Sequence, residues 1–421
     1  MTRRPALLAI MGSGETAPTM AKVHRLLVER LGSPPVEAVL LDTPYGFQEN
    51  AEEISRRAID YFGRTLQLAL RVASWRRPTD DVLRREQAVA LVRDADLVFA
   101  GPGSPTYALR VWRDNGLREV LADKLTHGGC VTFGSAAAVS LGTAAVPTYE
   151  IYKVGADPHW VEGLDLLSVI GLRAAVIPHY DNAEGGTHDT RFCYLGEQRL
   201  RMMESMLDTP MCVLGVDEHT AGVFDLDADT LTVLGRGGVT VRIDGVSTVF
   251  ASGSTVGMDE LRATAAGDRS GIATTPASER VPGADPATQT APSLHAETAR
   301  LESAFDAGLH SGAVEAAVTA VLELEQAIVD WSADTEEEDG ADVPRAVLRR
   351  MVLRLGELAV LGIRDPAELV APFVETLVEL RERARAQRSW SMADELRQRL
   401  TTAGVEVRDT STGTVWDFTS R

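Results

Sequence analysis

Three apolar runs in this chain each end at a residue able to attack a carbonyl or move a proton. Val131-Thr132-Phe133-Gly134 leads into Ser135-Ala136-Ala137-Ala138, Val176-Ile177-Pro178 into His179-Tyr180-Asp181-Asn182, and Leu214-Gly215-Val216-Asp217 into Glu218-His219-Thr220. A serine between a buried strand and an alanine-rich helix start is the setting of a nucleophile elbow. There a sharp turn lifts Oγ out of the sheet edge while helix N–H groups face a developing oxyanion. Histidine takes and returns a proton near neutral pH, and an acid behind it can fix the ring. Each segment also has an ordinary reading. Gly134-Ser135-Ala136-Ala137 describes a serine-capped helix, His179 a structural donor at a strand end, and Glu218 a solvated turn acid. The chemical reading gains weight because serine and histidine stand at corresponding strand ends, the edge where α/β active sites collect.

Such groups need a sheet to position them. From Pro5 to about Gly257 short apolar runs recur at Ala6–Met11, Ala38–Leu41, Leu97–Ala100, Val131–Phe133, Ala174–Ile177 and Cys212–Val216, as parallel strands buried on both faces would. Between them lie helical patterns such as Pro18–Leu31, closed by Gly32, and Asp80–Val92. The alternation implies an α/β domain on a doubly wound, mostly parallel sheet. After Glu218 the texture changes to alternating strands, Leu231–Leu234 and Val239–Ile243, separated by Arg236-Gly237-Gly238 and followed by Asp244-Gly245, a hairpin signal that adds an antiparallel edge.

Residues 264–294 are rich in Ala, Thr, Pro, Ser and Gly without periodicity, the composition of an interdomain linker. The remainder carries helical apolar stripes at Ala313–Trp331, Arg345–Leu361 and Glu368–Leu400, broken by the acidic run Asp334–Asp339, which reads as a solvated loop. A last segment, Val405–Phe418, contains a Thr-Gly turn and folds back as a small hairpin. We therefore expect an α/β domain over 1–262, a flexible linker over 263–294, and a small all-α domain with a C-terminal hairpin over 295–421.

Bulk properties narrow the function. A net charge of −19 over 421 residues argues against generic binding to nucleic acid or acidic membranes. Cys130, Cys193 and Cys212 form no C-x-x-C or Cys/His cluster, so neither a disulfide framework nor a zinc site is expected. No apolar run approaches membrane-spanning length, and Ala6–Met11 is too short for a signal segment, which points to the cytoplasm. Gly12-Ser13-Gly14-Glu15 lacks the third glycine of a dinucleotide fingerprint and is followed by Pro18, so no cofactor is expected.

The order of Gly134-Ser135-Ala136-Ala137-Ala138, Pro178-His179-Tyr180-Asp181-Asn182-Ala183 and Gly215-Val216-Asp217-Glu218-His219-Thr220-Ala221 resembles the peptidase E and cyanophycinase family, whose fold is that of the class I glutamine amidotransferases. The resemblance covers roughly residues 5 to 257. It implies Ser135 as nucleophile, His179 as general base and acid, and Glu218 as the acid orienting the imidazole. Val98-Phe99-Ala100-Gly101-Pro102-Gly103-Ser104 matches the family's glycine-rich strand end, which implies an oxyanion hole from the N–H groups of Gly103 and Ala136. Glu150 lies where related enzymes carry an active-site acid. It is expected on the substrate side with Ser104, and with Arg191, whose loop could close over a substrate carboxylate. The chain departs from the pattern in three places: Ala137 replaces a glycine, Gly134 directly precedes the serine, and Pro102 has no N–H to donate.

The tail carries a second resemblance. Ala384-Arg385-Ala386-Gln387-Arg388-Ser389-Trp390-Ser391-Met392-Ala393-Asp394-Glu395-Leu396-Arg397, then Arg408-Asp409-Thr410 and Gly413-Thr414-Val415-Trp416, is similar to the C-terminal end of cysteinyl-tRNA synthetases, though the chain lacks the H-I-G-H and K-M-S-K-S motifs of adenylate chemistry. Arginines at 381, 383, 385, 388, 397 and 399 are interleaved with acids, so a salt-bridged helix face competes with a phosphate-binding one. The first expectation is a serine-type peptidase acting on a small peptide or isopeptide amide. The alternative is a non-catalytic binding or regulatory protein whose tail contacts tRNA or a protein partner; self-association stays open.

Overall fold

The computed structural model describes residues 3–32, 36–113, 115–183, 188–207, 211–268, 275–276, 293–331, 342–363, 366–411 and 413–419. In its first part, strands β1 (Ala6–Met11), β2 (Ala38–Leu41), β3 (Leu70–Ala73), β4 (Leu97–Ala100) and β5 (Gly129–Gly134) run parallel in the spatial order β1-β5-β4-β2-β3. They alternate with helices α1 (Ala21–Leu31), α2 (Ala51–Leu66), α3 (Val82–Asp94), α4 (Pro105–Trp112) and α5 (Leu117–His127). Side chains of β1 leave alternately to the two faces, as a period of two requires. Leu8 and Ile10 join Val39, Val131, Trp112 and Leu121 in one core, whereas Leu7, Ala9 and Met11 join Val23, Leu27, Phe62 and Phe99 in the other. A sheet covered on both faces explains why β1, β2 and β4 are unbroken apolar runs.

A second sheet follows helix α6 (Ser135–Ser140). It holds β6 (Ala144–Ala145), β7 (Val161–Glu162), β8 (Ala174–Ile177) and β9 (Cys212–Val216), with α7 (Gly196–Glu204) between the last two. The chain then distributes antiparallel strands to both sheets. Strand β10 (Thr220–Asp225) and β11 (Thr230–Gly235) extend the first sheet beyond β1, and β12 (Gly238–Ile243) and β13 (Val246–Ala251) extend the second beyond β9. Asp244-Gly245 closes the β12–β13 hairpin with both residues at positive φ, 49° and 76°, as a tight two-residue turn demands. Strands β11 and β12, which Arg236-Gly237-Gly238 separates, part into different sheets instead of pairing. Their linker is steered by two bonds: Gly237 N–H donates to Thr220 Oγ1 (2.8 Å) and Gly238 N–H to Asp217 Oδ2 (2.7 Å). Strand β14 (Thr255–Gly257), helix α8 (Met258–Ala265) and a short β15 (Thr275–Pro276) on β13 complete this part.

Gly12 is the junction of the two sheets. Its N–H donates to Thr220 O (2.9 Å), its carbonyl accepts the His179 N–H (3.2 Å), and a Cβ placed on it would sit 2.1 Å from the Asp217 carbonyl oxygen. Only glycine permits that approach. It brings the end of β1, beside β5 and Ser135, next to the ends of β8 and β9.

Of the segment expected as a linker, residues 263–268 finish α8 and its turn, 275–276 form β15, and Ser293 caps the next helix; the rest lies outside the described residues, as does the acidic run at 334–339. Helices α9 (Leu294–Ser311) and α10 (Val314–Trp331) form a hairpin belonging to the compact unit Met1–Arg345. The Trp331 ring meets the His219 ring at 5.6 Å and lies under the Arg236 guanidinium at 5.9 Å.

The second unit, Ala346–Arg421, contains most of α11 (Asp342–Ile363), with α12 (Pro366–Ala386), α13 (Trp390–Thr402) and the hairpin β16 (Val405–Thr410)–β17 (Gly413–Phe418). The stripe over 368–400 thus splits into two helices, broken near Arg388, whose φ is 58°. Val374, Val378, Leu400, Val405 and Val407 form its core. No helix among the described residues is long and apolar enough to cross a membrane.

Candidate active site

Ser135 joins β5 directly to α6 at a φ of 45°, the left-handed region that a residue with a Cβ adopts only when its surroundings enforce it. Its Oγ lies 3.1 Å from His179 Nε2. His179, also left-handed at 48°, places its Nδ1 3.0 Å from Glu218 Oε1. The sequence separations are 44 and 39 residues, so the three strand ends converge although the chain keeps them far apart. The Glu218 carboxylate also accepts a bond from Asn182 Nδ2 (3.0 Å), and its own N–H donates to Asp181 Oδ1 (2.7 Å). Desolvation first, and then the Asp217 charge, push the Asp181 carboxyl up from its usual range. The imidazole is mostly enclosed and the Glu218 side chain is 29% exposed, which weakens its electrostatics without removing them.

The glycine-rich turn after β4 lies against this elbow. Gly101 O accepts the Ala137 N–H (3.2 Å), which ties the turn to α6. Gly103 has a φ of 133°, and a Cβ there would stand 2.1 Å from the Pro44 carbonyl oxygen, so this position requires glycine. Ser104 caps α4 through the Tyr107 N–H (3.2 Å). Its Oγ is 3.0 Å from Thr106 Oγ1, which donates to Glu150 Oε1 at 2.6 Å. Ser104 and Glu150 therefore belong to one polar network on the α4 side of the elbow. Arg191 is held elsewhere: its Nε and Nη2 donate to the two Asp189 carboxylate oxygens at 2.9 and 2.8 Å, and this pairing holds the Asp189 carboxyl down at about 2. A substrate carboxylate would have to share Arg191 with Asp189.

Several residues near the site had no role in the sequence reading. Glu15 is buried between Gly101 and Gly134, where a Cβ would come 2.5 Å and 3.0 Å from its carboxyl atoms. Gly12 and Gly14 serve the site itself, Gly14 lying so close to His219 that a Cβ would be 2.2 Å from its ring. Asn182 and Asp181 bracket Glu218. Their proximity to His179 in the chain was the available signal, but which acid they serve was not. Cys130 and Cys212 are buried thiols pushed up to about 12 by desolvation, inert positions in strands.

Residues 370–416 match the family model described as the cysteinyl-tRNA ligase anticodon binding domain. Cysteine–tRNA ligase of Dehalococcoides mccartyi is 47% identical over 47 residues, 11% of this chain and 10% of the relative. That of Nitratidesulfovibrio vulgaris is 30% identical over 128 residues, 27% of this chain and 26% of the relative. The chain thus spans between about a tenth and a quarter of the length of these curated relatives. Among solved structures, a peptidase from an acI-B1 Actinobacterium aligns with 22% identity and a TM-score of 0.49, covering 61% of this chain and 98% of the other. A putative peptidase E protein from Listeria monocytogenes EGD-e aligns with 12% identity and a TM-score of 0.36, over 57% of this chain and 98% of that one.

Proposed function

We propose that the N-terminal domain is a serine hydrolase that cleaves a small peptide or isopeptide amide. The observation that carries this reading is the hydrogen-bonded line from Ser135 Oγ through His179 to Glu218 Oε1, with links of 3.1 and 3.0 Å and a left-handed serine at a strand-to-helix turn. In this mechanism Ser135 Oγ forms a bond to the scissile carbonyl carbon as its proton passes to His179 Nε2. Glu218 holds Nδ1–H and stabilises the imidazolium. The N–H groups of Gly103 and Ala136 receive the oxyanion. The C–N bond then breaks as the imidazolium proton goes to the leaving amine; water, deprotonated by His179, next bonds to the acyl carbon, and the C–O bond to Ser135 breaks as that proton returns to Oγ. Ser104 and Glu150 contact substrate from the α4 side, and Arg191 joins them to the extent that Asp189 releases it.

The proposal extends to the chain as a whole: a hydrolase domain over 1–262, a connection over 263–294 that includes the end of α8 and β15, and from 295 a tail that contacts tRNA or a protein in the cytoplasm, its first hairpin α9–α10 belonging to the first compact unit. The similarity of 370–416 to an anticodon binding domain supports the RNA reading. Against it, Arg381 and Arg385 are both engaged by Asp409, leaving fewer basic groups for phosphate.

Labelling of the full chain by a fluorophosphonate tests the hydrolase. Labelling of the wild type and none of Ser135→Ala, with the site mapped to the peptide containing residue 135, is the expected result. A wild type that resists labelling and hydrolyses no aspartyl or isoaspartyl dipeptide would return the chain to the non-catalytic reading.

A further inference from the structure

His179 aims a ring at two partners from a backbone conformation that residues with a Cβ seldom take, so something must hold that conformation. Part of the restraint comes from the sheets. The His179 N–H donates to Gly12 O (3.2 Å) and the Tyr180 N–H to Val216 O (3.1 Å). The His179 carbonyl is held locally by the Asn182 N–H (3.2 Å) and also by a segment outside the three strand ends. Phe192, Cys193 and Tyr194 stand consecutively in the left-handed region, at φ of 62°, 54° and 64°, and none is glycine or asparagine. The Cys193 N–H donates to the His179 carbonyl (3.2 Å), and the Phe192 N–H donates to the Tyr180 carbonyl (3.0 Å).

The turn is anchored on several sides. The Phe192 ring packs on Tyr180 at 4.6 Å and under the guanidinium of Arg242 at 5.3 Å. Arg242 is wholly buried and shared between Glu197 and Glu204 of α7, with bonds of 2.8 to 3.0 Å. Tyr194 stacks on Tyr152 at 4.8 Å, and Cys193 Sγ lies 3.4 Å from Thr148 Oγ1. This scaffold stabilises three unfavourable backbone conformations in a row. The groups that its amides present to the site are turned on the carbonyls of His179 and Tyr180.

We propose that the left-handed turn Phe192–Tyr194 sets the aim of the His179 imidazole, with Cys193 as a positioning residue that acts through its backbone conformation and amide rather than its thiol. The activity part of the test rests on the hydrolase reading above; the spectroscopic part does not. A series at Cys193 separates conformation from side chain. Val is β-branched and disfavours positive φ, Ala keeps an ordinary Cβ and lacks the thiol, and Gly accepts positive φ freely. Cys193→Val should lower kcat by ~100-fold, the scale of a misplaced catalytic group, with KM nearly unchanged. Cys193→Ala and Cys193→Gly should retain kcat within about threefold of the parent, a difference too small to reflect a misaimed group.

In parallel, the ring nitrogens of His179 are read by NMR in chain labelled with nitrogen-15 histidine, assigned through His179→Gln. The His179 signals should move in Cys193→Val and return in Cys193→Gly, whether or not a substrate is known. Equal losses in Ala and Gly would show that the thiol contact with Thr148 matters and overturn the proposal. So would His179 signals indifferent to all three substitutions. If Cys193→Val fails to fold, Cys193→Thr supplies the β-branched member, and the Ala and Gly comparison still decides. Absence of hydrolysis in the parent chain, with His179 signals that follow the series, would sink the hydrolase reading and leave this one standing.

Discussion

Replacing Glu218 by glutamine keeps the volume and one acceptor oxygen but removes the charge that faces His179 Nδ1 at 3.0 Å. It also confronts the amide with two donors, because Asn182 Nδ2 reaches the same oxygen at 3.0 Å. With two lone pairs the amide oxygen can accept from both His179 and Asn182; turned the other way, the amide sets its NH2 against the ring and the Asn182 donor and forces the other tautomer. Two unit charges about 4 Å apart interact by about 4 kcal/mol at an effective dielectric constant near 20. The Glu218 side chain is 29% exposed, so solvent screens part of this. We expect a loss of about 2–3 kcal/mol of transition-state stabilisation, or roughly 30- to 150-fold in kcat/KM. The rate of fluorophosphonate labelling of Ser135 should fall in parallel, since it uses the same base. Thermal stability should change by less than about 1 kcal/mol, a partly exposed hydrogen bond being worth little net. A Glu218→Gln chain that labels and turns over within threefold of the parent would refute the role of Glu218 and leave Asp181 or Asp217 as the acid to examine.

Three further outcomes follow from the geometry. Gly103→Ala forces a Cβ to 2.1 Å from Pro44 O at a φ of 133°, and should cost more than about 2 kcal/mol in chemical denaturation while slowing Ser135 labelling. Arg381 is 5% exposed and bidentate to Asp409 at 2.8 Å, against an Asp409 that is 36% exposed; Arg381→Ala should loosen the α12–β16 contact by about 2 kcal/mol, read as faster amide exchange in β16, and lysine should not restore it. Asp189 is held at about 2 in the folded chain against an ordinary carboxylate value of 3.8, so its pairing with Arg191 stabilises fully above pH 3.8 and is lost as pH falls through about 2. The stability gap between parent and Asp189→Asn should therefore close toward pH 2, and a gap that widens on acidification would contradict the pairing.

The parallel strands were legible because two covered faces leave no room for polar residues. Ala6–Met11, Ala38–Leu41, Leu97–Ala100, Ala174–Ile177 and Cys212–Val216 coincide in sequence and structure for that reason. Strand β3 escaped notice because it lies at the sheet edge, where Arg71 is exposed and breaks the run. Strands β6 and β7 have two residues each, too few for any period. Helix α9 buries Leu294, Leu301 and Phe305 as large apolar anchors and half-buries Leu309, with small residues such as Gly308 at the contact with α10. A close approach of that kind depends on what is absent from a side chain and leaves no hydrophobic signal. The division of β11 and β12 between two sheets depends on the Asp217 and Thr220 bonds to Gly238 and Gly237, contacts that local turn chemistry does not encode.

The site itself was partly legible, and its departures from the family pattern acquire a physical meaning. Ser135, His179 and Glu218 were singled out because each ends an apolar strand within a motif resembling a known family, and the structure brings the three side chains into one hydrogen-bonded line. The left-handed turn at 192–194 was not, because Phe, Cys and Tyr carry no signature of positive φ. Gly134 directly before the serine is accounted for by the buried Glu15 carboxyl, which would lie 3.0 Å from any added Cβ. Ala137 in place of glycine causes no such conflict, since its side chain enters the core while its N–H reaches Gly101 O. Pro102 gives up a donor, yet Gly101 supplies the acceptor that docks the turn on α6 and Gly103 retains an N–H beyond the proline. The glycine that the resemblance places two residues after the serine thus stands at the residue before it. If Glu15 is what moved it, Glu15→Ala should make Gly134→Ala tolerable: the two substitutions, each damaging to Ser135 labelling alone, should together cost less than their sum in a double-mutant cycle. Strict additivity would mean that Gly134 answers to the turn's own backbone and not to Glu15.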